Sequence, residues 1–219
     1  MKRRVFSLAA STAAMVAFGL LPGHAQAQAQ GKKPDEGIEY ITLDKPVPVE
    51  APAGKVEVVE FFWYSCPHCN AFEPQLEGWI KAAPADVFVT RVPVAFRDSF
   101  VPQQRLFYTL EAMGKLGDLH RKVFNAIHID KLLLNREDLI LDWVGKQGLD
   151  KGMFQELYNA SATSAKCRRA TQLVDAFKVQ GVPSMGIAGR YYTDGALAGT
   201  MNGSLAVADY LIAQVRAGS

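Results

Sequence analysis

The chain has 219 residues, 49% of them hydrophobic, with 24 basic against 22 acidic side chains and three cysteines. That is enough apolar sequence for one sizeable core. The near balance of charge, with no basic patch interleaved with aromatics, argues against nucleic acid as a partner, and three cysteines are too few for a disulfide-stapled scaffold.

The first segment reads Met1-Lys2-Arg3-Arg4, then an apolar run from Val5 to Leu21, then Pro22-Gly23-His24-Ala25-Gln26-Ala27. A basic start, a short apolar middle and small residues spaced Ala-x-Ala are the parts of a secretory signal peptide, cleaved after Ala25, Ala27 or Ala29. Ser7, Ser11, Thr12 and Gly19 weaken the competing reading of a membrane anchor. Without Lys2, Arg3 and Arg4 the balance becomes 21 basic to 22 acidic, so the mature chain is near neutral. Residues 26–37 are polar and low in complexity and read as a mobile tail.

Ile38 to Leu43 alternates in part, as an edge strand would, and Pro46, Pro48 and Pro52 break the connection that follows. From Val56 to Trp63 the sequence is apolar on both faces of a strand, Val58 and Phe62 on one, Val59, Phe61 and Trp63 on the other. A central strand covered on both sides has this pattern. Glu60 shares the face of Val58 and Phe62, so its carboxyl is expected in apolar surroundings that raise its pKa; the alternative is a basic partner or solvent at a sheet edge.

Cys66-Pro67-His68-Cys69 follows this strand and precedes a helix that begins near Asn70. The spacing puts both sulfurs within the first helical turn, close enough to bridge, and Pro67 suits a position where its missing N–H costs nothing. Cys66 then faces unpaired N–H groups, which with the helix dipole favour its thiolate and lower its pKa below about 8.5. His68, when protonated, adds positive charge. A zinc site would need four ligands, which the single further cysteine, Cys167, and the scattered histidines do not provide. Haem attachment would need His where Asn70 stands. No metal or other cofactor is expected, and two close cysteines in an exported chain point to redox work.

Phe72 to Ala83 reads as a helix kinked at Pro74, and Val87 to Val94 as a third strand. From 99 to 164 apolar residues recur at helical intervals: Leu106, Leu110 and Met113; Leu119, Val123 and Ile127; then a helix capped by Asn135 and another by Asp150. His120 and His128, eight residues apart, read as ordinary surface or core histidines. A helix from Ala165 to Val179 carries Cys167, Ala170, Val174 and Phe177 on one stripe, making Cys167 a small buried hydrophobe. Gly181-Val182-Pro183-Ser184 leads into a hairpin of Met185–Ile187 and Tyr191–Thr193, and Ser204 caps a last helix.

Glu60 six residues before Cys66, the Pro67-His68 dipeptide and the Gly181-Val182-Pro183 segment together resemble the DsbA family of periplasmic thiol:disulfide interchange proteins. The resemblance implies an α/β thioredoxin fold, residues 38–98 and 165–219, with an inserted all-helical domain at 99–164. It also implies a cis bond before Pro183, substrate contact at Val182 and Pro183, and donation of the Cys66–Cys69 disulfide to newly exported proteins. A membrane reoxidase of the DsbB type and a monomeric state go with it. Cys167 is a thiol that the family's mechanism does not require. A reductase or isomerase of the same fold, or a non-redox peptide-binding chaperone using the groove near Pro183, are the competing functions.

Overall fold

The computed structural model describes residues 33–218; the leader read at 1–25 and the start of the tail lie outside the described residues. Five strands, β1 (Ile41–Thr42), β2 (Val56–Phe62), β3 (Val87–Pro93), β4 (Ser184–Ile187) and β5 (Tyr191–Asp194), form one sheet in the order β1-β5-β4-β2-β3. β2 is an interior strand, parallel to β3 and antiparallel to β4, and all seven of its residues are buried. The edge strand is shorter than the sequence pattern implies. Residues 35–40 instead make a turn, with the Gly37 N–H donating to the Tyr40 carbonyl at 2.8 Å. The Tyr40 ring packs on Tyr191 and Tyr210, so the chain is folded from Asp35 rather than from 38.

Among the described residues seven α-helices surround the sheet: α1 (Pro67–Ala82), α2 (Val101–Ala112), α3 (Leu116–His128), α4 (Glu137–Lys146), α5 (Lys151–Asn159), α6 (Ser161–Ala176) and α7 (Met201–Ala217). One core joins Val56 and Val58 of β2 and Met185 and Ile187 of β4 to Phe72 and Leu76 of α1 and Leu205, Ala208 and Leu211 of α7. The other joins Val59 and Phe61 to Ala170 and Leu173 of α6, to Phe177, and onward to the helices of 101–159. Phe62 departs from its expected face. At the end of β2 its ring reaches Tyr64, Phe107, His120 and Phe124, tying the strand to the helical region.

Side chains cap the starts of α1, α5 and α7, and three helix starts differ from the sequence pattern. The Asp150 carboxylate accepts from the Met153 N–H at 2.8 Å, as expected. Asn135 does not cap α4, whose N-cap position is Arg136 with no side-chain cap. α7 starts at Met201 rather than after Ser204, because the Thr200 hydroxyl accepts from the Gly203 N–H at 2.9 Å and draws Asn202-Gly203 into the helix. α6 begins at Ser161 and so crosses the expected boundary at 164.

Candidate active site

Cys66 is the N-cap of α1, and its sulfur accepts from the Cys69 N–H at 3.4 Å. Pro67 fills the first helical position. Both cysteines are free thiols, Cys66 at 7% exposure and Cys69 at 0%. The Cys66 pKa falls from 9.0 to about 6. The Cys69 thiol hydrogen-bonded to it is the largest cause, the N–H groups of Cys69 and His68 and the His68 charge add to it, and burial opposes them. Burial pushes the Cys69 thiol far up, and the neighbouring Cys66 thiolate pushes it further. One sulfur is therefore built to be a thiolate and the other to keep its proton.

Pro74 interrupts α1 without breaking it: the helix runs on to Ala82. Proline has no N–H to give the carbonyl four residues back, and Arg121 of α3 donates to that Asn70 carbonyl at 3.2 Å instead. The loop before Cys66 is held from the helical region as well. Gln103 donates to the Ser65 hydroxyl at 2.6 Å, the Trp63 ring stacks on Phe100 at 3.6 Å, and His128 Nε2 lies 2.8 Å from the Tyr64 carbonyl.

The Val182–Pro183 bond is cis, and the Val182 carbonyl lies 3.5 Å from Cys66 Sγ. His68, Val182, Pro183, Asp194 and Met201 line an open cavity of about 400 Å³ beside the motif. The structure thus brings Cys66, Val182 and Pro183 together, with exposed His68 at the rim of the cavity.

Behind the motif lies a buried charge network. Glu60 is wholly buried, as expected, but it is not alone: Arg91 Nε stands 3.1 Å from Glu60 Oε2, and Arg91 Nη2 2.6 Å from Glu73 Oε1. His120 Nε2 is 3.5 Å from the same Glu73 oxygen, and its Nδ1 is 2.8 Å from the Tyr64 hydroxyl. Neither Arg91 contact has the alignment of a hydrogen bond, so both carboxylates keep oxygens without a hydrogen-bond partner. Burial raises the Glu60 pKa more than Arg91 lowers it. Glu73 also feels burial, but His120 and Arg91 outweigh it and hold the carboxyl below its ordinary value. One guanidinium cannot neutralise two buried carboxylates, and Glu60 is the one that keeps a proton.

A sequence profile of the DSBA-like thioredoxin domain matches residues 90–206. The thiol:disulfide interchange protein DsbA of Burkholderia cepacia is 39% identical over 202 residues, covering 92% of this chain and 94% of its own length. That of Pseudomonas aeruginosa is 42% identical over 204 residues, covering 93% and 95%.

The chain belongs to the DsbA family.

The crystal structure of Pseudomonas aeruginosa DsbA superposes with a TM-score of 0.80 at 42% identity, covering 84% of this chain and 95% of that one. The Xylella fastidiosa oxidoreductase DsbA gives 0.78 at 28% identity, covering 84% and 99%. The fold is accordingly the thioredoxin fold of DsbA with its helical insertion, and the activity is thiol:disulfide oxidoreduction. Glu73, Arg91 and His120 are the residues of this DsbA-family site that the sequence reading missed. Arg91 stands directly opposite Glu60 in the parallel register of β2 and β3, a pairing that the strand register had to supply. His120, read as an ordinary histidine, lies in a wall of aromatics and touches two polar groups.

Proposed function

We propose that this DsbA-family chain is an exported disulfide donor that works in the periplasm on newly exported proteins. A substrate thiolate attacks Cys66 Sγ of the oxidised form, the Cys66–Cys69 bond breaks, and its electron pair leaves on Cys69, giving a mixed disulfide. A second substrate thiolate then attacks the substrate sulfur of that bond, a substrate disulfide forms, and Cys66 departs as a thiolate. The substrate loses two electrons and the protein gains them. Glu60 supplies the proton that Cys69 needs on release. Val182 and Pro183 offer backbone to an extended substrate. A membrane reoxidase of the DsbB type restores the disulfide, and the working unit is a monomer.

The asymmetry between the two sulfurs carries this reading. A Cys66 thiolate exists only after reduction, so whatever stabilises it stabilises the reduced protein and makes the disulfide easy to give away. Equilibration of the purified protein with reduced and oxidised glutathione tests it. The expected potential is well above that of thioredoxin; a value near thioredoxin's would establish a reductant. Activity on unfolded protein that survives replacement of both Cys66 and Cys69 by serine would establish a chaperone instead.

A further inference from the structure

Five side chains from five parts of the fold, four of them buried and Arg91 partly so, make one continuous chain: Tyr64 before α1, His120 on α3, Glu73 on α1, Arg91 on β3 and Glu60 on β2. Its links are 2.8, 3.5, 2.6 and 3.1 Å. One end lies two residues before Cys66, and the other is close enough to Cys69 to raise its pKa. The chemistry proposed above uses Glu60 alone and leaves the His120 end without a task.

We propose that His120 is a positioning residue for the exchange reaction, taking up a proton when Glu60 gives one to Cys69, so that the buried network keeps the same net charge throughout. The inference rests on Glu60 as the proton donor.

The charges determine the cycle. At rest Glu60 carries its proton, Glu73 is an anion, Arg91 a cation and His120 neutral, and the network sums to zero. His120 Nε2 faces a carboxylate and therefore bears the hydrogen, while Nδ1 accepts from the Tyr64 O–H. When Cys69 is expelled from the disulfide with its electron pair, the Glu60 proton moves to Cys69 Sγ. Two carboxylates then share one guanidinium in a pocket without water-exposed oxygens, a charge that such a site does not tolerate. A proton from solvent on His120 Nδ1 restores neutrality: the imidazolium keeps its Nε2–H toward Glu73, and its new Nδ1–H donates to the Tyr64 oxygen, which accepts as readily as it donates. When solvent returns a proton to Glu60, His120 gives its own back.

The ionisable groups facing the imidazole are Tyr64 from the connection before α1, Glu73 and Glu77 from α1, and Arg91 from β3. Phe62, Phe107 and Phe124 complete the wall. Burial lowers the His120 pKa and Glu73 raises it, so the ring responds to a change in the charge that Glu73 and Arg91 pass on.

The test uses the full mature protein, wild type and with Glu60→Gln, His120→Gln or both. Proton affinity of the His120 ring is read by NMR, and exchange with a reduced dithiol peptide is followed by stopped flow over about pH 5 to 8. Above about pH 8, where Glu60 ionises, Glu60→Gln is expected to lower the proton affinity of His120 about tenfold, whereas below it the neutral acid and the neutral amide leave the ring alike. His120→Gln is expected to slow exchange about tenfold in the wild-type background and by less than about twofold when Glu60 is already Gln, since coupled groups are not additive. Equal slowing in both backgrounds, or a His120 titration that Glu60→Gln leaves in place above about pH 8, overturns the proposal. The titration decides alone if His120→Gln does not fold. A Glu60→Gln protein that exchanges as fast as wild type removes Glu60 as donor and the His120 role with it. A slow Glu60→Gln protein with an unmoved His120 overturns only the latter.

Discussion

Cys66 Sγ lies 3.5 Å from the carbonyl oxygen of Val182, a residue 116 positions further along the chain. A thiol can donate there and a thiolate cannot, so ionisation gives up this contact and leaves the one from the Cys69 N–H, which the sulfur accepts in either state. The sulfur's protonation state is thereby tied to its hold on the Val182 carbonyl.

The first prediction follows from that sulfur. Its pKa falls from 9.0 unfolded to about 6 folded, so the stabilisation of the reduced protein is fully present above pH 9 and is lost as pH falls through 6. The size is about 4 kcal/mol above pH 9 and about 1.4 kcal/mol at about pH 7. Urea unfolding of both redox forms between about pH 6 and 9 checks it: the reduced form gains on the oxidised one as pH rises through that window, above which ionisation of Cys69 in the unfolded chain works the other way. Oxidised protein that stays the more stable throughout contradicts the thiolate argument.

Glu60 and Arg91 should respond in opposite ways to replacement. Below about pH 4.5, Glu60→Gln swaps a neutral acid for a neutral amide and is expected to change stability by less than about 1 kcal/mol; at neutral pH, where the unfolded acid ionises, it is expected to stabilise. Arg91→Met strands the Glu73 anion without its closest cation and is expected to cost about 3–5 kcal/mol. The Glu60 pKa is raised, so its stabilising effect is complete below 4.5 and lost as pH rises through the folded value. Glu60→Gln should flatten that decline, which runs from about pH 4.5 to about 8, in urea midpoints measured against pH.

Cys167 is expected to be a bystander. It is 8% exposed and burial raises its pKa, so at neutral pH it is a thiol and a poor nucleophile. Cys167→Ala should leave exchange with a reduced peptide unchanged and cost about 1 kcal/mol of stability. Iodoacetamide should label Cys66 long before Cys167, as mass spectrometry of digests would show.

Gly186 on β4 tests the core beneath the site. A Cβ there would lie 2.3 Å from the Phe177 ring, which packs at 5.3 Å against Phe61 of β2. Gly186→Ala should cost about 1–3 kcal/mol through this overpacking. Adding Phe177→Leu should return part of the loss, measured as a non-additive double mutant in urea.

The sequence carried the parts of the site that obey a local rule. A strand apolar on both faces, a proline inside a C-x-x-C motif and paired runs around Ala188-Gly189-Arg190 announced β2, the start of α1 and the hairpin. What it concealed depends on juxtaposition. Glu73 sits between Phe72 and Leu76 and looks like a solvent-facing helical acid until Arg91 and His120 arrive from β3 and α3. The expected cap at Ser204 failed because a neighbouring start was available, Thr200 closing a turn on Gly203 before Ser204 is reached, whereas α4 begins at Arg136 with no side-chain cap at all. Glu60 was read as buried from its period-two face, but its partner required the register of β2 against β3.

Phe61 pairs with Ser184 across antiparallel β2 and β4, so the exit of one strand lies beside the entrance of the other. The ladder itself delivers the reactive sulfur and the cis-proline to a shared address. The residues between β3 and β4 are helical and lend that ladder no strand. The outward surface of helices 101–176 can therefore vary without touching that ladder, whereas the inward side chains that grip the motif, Gln103, His120, Arg121 and His128, cannot.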